Sequence, residues 1–213
     1  SLVELLVVIS LISVLMGILL PVLGRAKQQA KITIVNADLK HISMALESYY
    51  LDNENRYPPT RADCNPNARK HVYALPQELV ESGYLSKGEK DNVTFARMQD
   101  KFWDEVAYKY IAVGPLFDYR GTPMADQHLM IPEGFPADES GELVSHSDPQ
   151  HSPVTWVLFS VGPGFEKESL ERRGFEINKG FPILEKYHYD GKDDEGIIFR
   201  MRLKSGRHAG TFE

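Results

Sequence analysis

The residues capable of chemistry are sparse. Seven histidines, His41, His71, His128, His146, His151, His188 and His208, are scattered along the chain. His146 and His151 share one polar stretch and form a candidate metal pair, although an ordinary loop is the simpler reading. Asp190, Asp193, Asp194 and Glu195 lie close together around Gly191. Closely spaced acids with an intervening glycine can coordinate Ca2+ through oxygen. Their spacing is not that of an EF-hand, so a solvated acidic turn stays open beside calcium. Cys64, the single cysteine, sits in the polar run Arg61-Ala62-Asp63-Cys64-Asn65-Pro66 and reads as a loop thiol; no intrachain disulfide can form. Asn92-Val93-Thr94 fits a glycosylation sequon. No HExxH, GxSxG, P-loop or CxxCH pattern occurs. These residues specify no reaction, and the chain reads as a non-enzyme.

The most informative single residue is an acid in the wrong surroundings. Residues 1–23 read SLVELLVVISLISVLMGILLPVL, and Glu4 is their only charged side chain. From Leu5 to Leu23 only Ser10, Ser13, Gly17 and Pro21 interrupt the apolar side chains. As a helix this run spans about 28 Å, close to the hydrocarbon thickness of a bilayer. It is apolar all round, which excludes an amphipathic surface helix. A secretory signal peptide would show a basic region before the run and a small-residue cleavage site after it, and neither is present. A buried core helix is shorter. A plain membrane anchor leaves Glu4 unexplained, because a carboxylate at the edge of a span costs about 2–3 kcal/mol unless it is paired. No Lys or Arg precedes Arg25, so the nearest cation is an α-amino group, of this chain or of a neighbour. Such a pair between packed helices would set axial register, and it contributes specificity more than stability.

Ser1 to Ile9, continuing through Gly17-Ile18-Leu19-Leu20-Pro21-Val22-Leu23, resembles the N-terminus of type IV pilins and type II secretion pseudopilins. The resemblance covers roughly the first 55 residues. It implies a leader removed by a leader peptidase and an N-methylated first residue, usually Phe. The family's signature acid is the fifth residue of the mature chain and here it is the fourth, so the resemblance places one residue, an N-methylated Phe, before Ser1. It assigns Glu4 to subunit assembly and register, and it makes Gly17 and Pro21 the weak part of the helix. Proline lacks a donor and crowds the carbonyl four residues back, here that of Gly17, and glycine is a poor helix former. The stretch Ser13–Pro21 is therefore expected to kink or melt.

After Gly24 the stem becomes charged, with Arg25, Lys27 and Lys31. Apolar residues then recur at Val35, Leu39, Ile42, Leu46 and Tyr49 or Tyr50, a helical stripe that predicts packing on a head. Asp52-Asn53-Glu54-Asn55 should end the helix, before Tyr57-Pro58-Pro59. The positive-inside rule would hold the three cations in the cytoplasm, whereas a pilin precursor places this end outside. Glu4 and its context are the more specific signal.

The remainder reads as a small head. Val72–Leu85 predicts a short helix ending at Gly83, and Tyr108–Val113 a strand preceded by the loop Lys101–Glu105. Residues 114–153, rich in Pro, Gly, Asp and Ser, read as a long loop insertion. Val154–Val161 is the clearest strand, and Ile197–Leu203 the last. The order helix, strand, late turn at Tyr189-Asp190, final strand is similar to that of major pseudopilin heads, which bind calcium in a late loop. The expected fold is α+β: a membrane or filament-core helix over 1–24, an amphipathic stem over 25–55, and an antiparallel head over 56–213.

A net charge of −6 argues against nucleic-acid binding. The family resemblance implies a homo-oligomeric helical filament, inner-membrane residence before assembly, and a leader peptidase and assembly ATPase as partners. The destination is an extracellular pilus or a periplasmic pseudopilus. A membrane-anchored binding or enzymatic domain with a coincidental stem is the alternative from another class.

Overall fold

The computed structural model describes residues 1–61, 75–90, 93–103, 107–118, 121–124, 129–138, 140–164, 181–182, 188–191 and 195–212. Its first element is a single helix, α1, Leu2–Asp52. At 1.5 Å per residue its 51 residues extend about 77 Å. Ser1 caps it, accepting from the Val3 amide, while Glu4 closes the reciprocal half of a capping box. At the other end Asn53 Nδ2 donates to the Tyr49 carbonyl at 2.8 Å, and Glu54 and Asn55 adopt left-handed φ values of 52° and 57°. Those conformations end the helix near the expected residue.

Of the two forms expected for the weak stretch, kink or melt, the melt is not observed. α1 is unbroken through Gly17 and Pro21, with no local unwinding over Ser13–Pro21. A proline forfeits one ladder bond, and the flanking turns are strong helix formers that hold the geometry around it. Ser10 and Ser13 also fold their hydroxyls back onto the carbonyls of Leu6 and Ile9, at 2.8 and 2.7 Å, and so place no bare polar group outside the helix.

The chain then forms β1, Thr60–Arg61, and a single helical turn, α2, Glu78–Glu81, closed by Gly83 at φ 79°. The predicted helix over Val72–Leu85 is thus one turn among the described residues. A hairpin follows, β2 Lys87–Lys90 with β3 Val93–Ala96. The central sheet is antiparallel, in the order β12-β11-β9-β4: β4 is Lys109–Ala112, β9 Val154–Ser160, β11 Ile198–Leu203 and β12 His208–Gly210. Between β4 and β9 lie β5 Leu116–Phe117, β6 Pro123–Met124, β7 Leu129–Pro132 and β8 Leu143–His146. The stretch 114–153, read as a loop, therefore carries four short strands. β1 pairs parallel to β5, β7 pairs with β8, and β10, Phe181–Pro182, pairs parallel to β7.

Two cores sit on the two faces of the central sheet. Period-2 alternation sends Tyr108, Tyr110, Trp156, Leu158 and Ile198 toward α1, and Ile111, Val157, Phe159, Phe199 and Met201 toward β7. The α1 face supplies Ile32, Val35, Leu39, Ile42, Ala45 and Leu46, all 5% exposed or less. Burial of those six side chains contributes on the order of 10 kcal/mol gross. The predicted stripe is the buried one, and Ile32 extends it by a turn.

Candidate assembly surface

α1 has two halves that behave differently. From Ile32 onward one face is sealed into the head. Before Gln28 every residue is exposed. Seventeen large apolar side chains between Leu2 and Leu23 are exposed, from 45% at Ile12 to 80% at Leu2. No soluble chain leaves such a surface bare; it belongs against lipid or against protein. By length and composition this half can cross a membrane.

Glu4 stands at the tip of that surface. Its carboxylate accepts from the Ser1 backbone nitrogen at 3.1 Å, and its side chain is 82% exposed. The contact needs only the N–H of Ser1, so it would persist if a residue preceded Ser1. Its remaining acceptor sites face outward, where a neighbouring subunit's N–H or ammonium group can reach. Gly17 and Pro21 lie in the second half of the span, and a Cβ at Gly17 would meet nothing within 4 Å. Gly17 is therefore not required by close packing within this chain.

The structure reveals a second group that the sequence did not announce: the polar clasp that fixes the stem to the head. Glu47 accepts from the Tyr57 hydroxyl at 2.9 and 3.0 Å, and its Oε1 lies 3.0 Å from Arg202 Nε and 3.6 Å from His208 Nε2. Arg202 Nε approaches off the line of its N–H, so that contact is ionic rather than a hydrogen bond. The guanidinium rests against the Tyr50 and Tyr57 rings at 5.5 and 5.4 Å, and these two rings are stacked. Burial, then the Glu47 bond, pushes the Tyr57 hydroxyl well above its ordinary pKa, so it stays a donor. Two turns earlier Asp38 accepts from the Tyr108 hydroxyl at 2.7 Å and lies 3.7 Å from Lys101. The only sequence signal for this clasp was an acid beside the buried stripe at each of positions 38 and 47.

A further buried carboxylate, Asp100, ties a loop to the end of β9. It accepts from Phe102 N at 3.0 Å, Ser160 Oγ at 2.8 Å and Val161 N at 2.9 Å. Burial raises its pKa, and these three bonds oppose the rise.

Of the acids proposed to bind calcium, Asp190 and Glu195 are described, and Asp193 and Asp194 lie outside the described residues. So do Cys64, His71, His128 and Asn92. Asp190 is exposed and Glu195 half-buried. The residues that flank them are joined by the parallel His188–Ile197 bridge and by Tyr189 N donating to the Ile197 carbonyl at 2.9 Å. Among the described residues no three metal-ligating side chains gather. His151 Nδ1 lies 2.5 Å from Asp148, and His146 stands on β8.

α1 thus combines a bare apolar half, tipped by the exposed Glu4, with a second half clasped to the head. The chain is 32% identical over 88 residues to type II secretion system core protein G of Pseudomonas aeruginosa. The chain is thus similar in sequence to a type II secretion core protein. The match covers 41% of the chain and 61% of the relative's length. No family model and no solved structure matches the chain. The chain joins a long N-terminal helix to an antiparallel β-sheet region, the α+β architecture expected from the sequence. The relative's name points to a secretion system rather than to a surface fibre.

Proposed function

We propose that this chain is the structural subunit of a secretion-type helical filament, built by packing the apolar halves of many α1 helices. The carrying observation is the division of α1 into a clamped half and a fully exposed apolar half. Before assembly the exposed half is held in the inner membrane, and the head lies in the periplasm. In the filament the same surface is covered by neighbouring stems, at about 25 cal/mol per Å2 removed from water. Each contact is head-to-tail and its rotation does not close, so a filament results. Glu4 sets the axial register by meeting a neighbour's N-terminal nitrogen. Gly17 and Pro21 are where the helix yields on packing. A leader peptidase prepares the chain and an assembly ATPase drives extraction. The secretion pseudopilus is favoured over an extracellular pilus by the relative's name.

The test is assembly in cells carrying a type II secretion apparatus, followed by disulfide cross-linking of cysteines placed at Val7 and Ile18. A ladder of cross-linked oligomers is expected, and Glu4→Leu should abolish it while the head keeps its circular dichroism. Monomers under both conditions would leave only an anchored domain.

A calcium ion held by the acids at positions 190–195 forms a second part of the proposal, with Asp190 and Glu195 as two oxygen ligands. The ion would neutralise the acids and fix the segment. Calcium should raise the melting temperature relative to a chelator, and Asp190→Asn should remove that increment; an equal melting temperature in both buffers refutes it.

A further inference from the structure

Between Glu4 and Asp38 the sequence has no acid, yet it carries Arg25, Lys27 and Lys31 immediately beyond the apolar run. In a chain of net charge −6 this is a local reversal of sign. Because α1 is continuous, the heights of these groups follow from the helical rise. Arg25 lies about 3 Å past Leu23, Lys27 about 6 Å and Lys31 about 12 Å. The headgroup layer on one side of a bilayer is about 5–8 Å deep. Arg25 and Lys27, both exposed, fall inside it, and Lys31, half-buried, stands about 4–7 Å beyond it.

The head brings a second element to the level of Lys31. Gln28 is the first residue of α1 that is not fully exposed, and Ile32 the first that is buried. The loop Lys101–Trp103 meets the stem there: the Lys31 ammonium lies 5.6 Å from the Phe102 ring, and Lys101 is 3.7 Å from Asp38. Phe102 and Trp103 are half-exposed, with the Lys109 ammonium 5.6 Å from the Trp103 ring. Asp100 anchors this loop from beneath through the Phe102 amide. Asp38 offsets Lys101, so the surplus positive charge belongs to the stem. Asp104 and Glu105 come next in the sequence and lie outside the described residues.

Two cations at headgroup depth, with a third cation and aromatic side chains about one helical turn farther out, form a set that a membrane interface attracts. Aromatic rings settle at headgroup level, and Lys and Arg gain from anionic lipid. We propose that Arg25, Lys27 and Lys31, with the Phe102–Trp103 loop, form a seat that binds anionic phospholipid headgroups and holds the head on the membrane before extraction. This rests on the membrane-anchored stage of the proposed function, not on filament assembly. The phosphates supply counter-charges to these cations, and leaving the membrane requires that these contacts be given up.

The full chain is reconstituted in phosphatidylcholine vesicles, and insertion is checked by flotation. Electron paramagnetic resonance then compares motional restriction of spin-labelled phosphatidylglycerol with that of spin-labelled phosphatidylcholine. Phosphatidylglycerol should be preferred about fivefold, with the preference shrinking in high salt. Arg25→Gln with Lys27→Gln, both at exposed positions, should bring the ratio close to one. Emission from Trp103, isolated by subtracting the Trp103→Phe signal, should shift to the blue when phosphatidylglycerol is added. A ratio near one for the native chain, or a preference unchanged in the double variant, overturns the seat. An unchanged Trp103 spectrum overturns the loop's part in it. A chain that does not float refutes the anchor reading itself, a different failure.

Discussion

Glu47→Ala should loosen the stem from the head more than any other single change on the helix's polar side. The side chain is 30% exposed, and its partner Arg202 is 18% exposed. Removing one member of a fully buried ion pair costs about 3–5 kcal/mol, because the other is left charged and unpaired. Both groups here keep some contact with water, so screening reduces that to about 2 kcal/mol. The Tyr57 hydroxyl loses a charged acceptor as well, adding about 1 kcal/mol. The sum, about 3 kcal/mol, lowers the melting temperature of a chain this size by roughly 6–12 °C. The measurement is near-ultraviolet circular dichroism of the full chain in detergent micelles, since Trp156 and Tyr57 pack edge to face at 6.2 Å beside the clasp and report on it. Arg202→Met keeps the apolar stem against Tyr50 and Tyr57 while removing the charge. Its combination with Glu47→Ala should cost at least about 1 kcal/mol less than the sum of the two single changes. Additivity within about 0.5 kcal/mol would refute the clasp as a coupled unit.

Three further outcomes follow from the head. Asp100→Ala strands two backbone donors and should cost about 3 kcal/mol at neutral pH, read by thermal melting. Because burial raises the folded pKa of Asp100 above its usual 3.8, the carboxyl's contribution is fullest below that value and declines as pH rises through the folded pKa; the gap between native and variant should therefore be widest in acid. His188, whose ring packs on Phe199 with centroids 4.0 Å apart, is pushed by burial to a pKa of about 4. Its neutral form thus contributes stability above pH 6.5 that is lost as pH falls toward 4, and its ring proton resonances should titrate near 4. Gly196 has φ 144°, and a Cβ there would lie 2.6 Å from the Tyr189 Cα, so Gly196→Ala should destabilise by about 2–4 kcal/mol, with loss of exchange protection at the Tyr189 amide.

What the sequence revealed depended on the range of each signal. The stem declared itself because an apolar run and a helical stripe are local patterns, and the stripe from Val35 to Leu46 is the buried face. β9 and β11 were readable for the same reason, being long enough to show β-branched and aromatic runs between breakers. β5, β6 and β7 were hidden by brevity and by Pro123 and Pro132 inside the strands, a residue that normally argues against one. The clasp joins Glu47 to Arg202 and His208 across most of the chain, and no periodicity records a pairing at that separation. The expected melting over Ser13–Pro21 applied a single-residue penalty without the neighbours that carry the helix across it.

The order of the elements also sets a timetable for synthesis. The apolar stripe that ends at Leu46 is made early, but part of its cover comes from Ile198 and the clasp residues Arg202 and His208, roughly 150 residues later. At about 5–20 residues per second, this surface waits on the order of 10–30 s for its last partners. During that interval the half-made chain exposes a sticky flank just beyond the membrane. Chaperone capture or loss to proteolysis should therefore concentrate in nascent chains that have not yet reached the final hairpin.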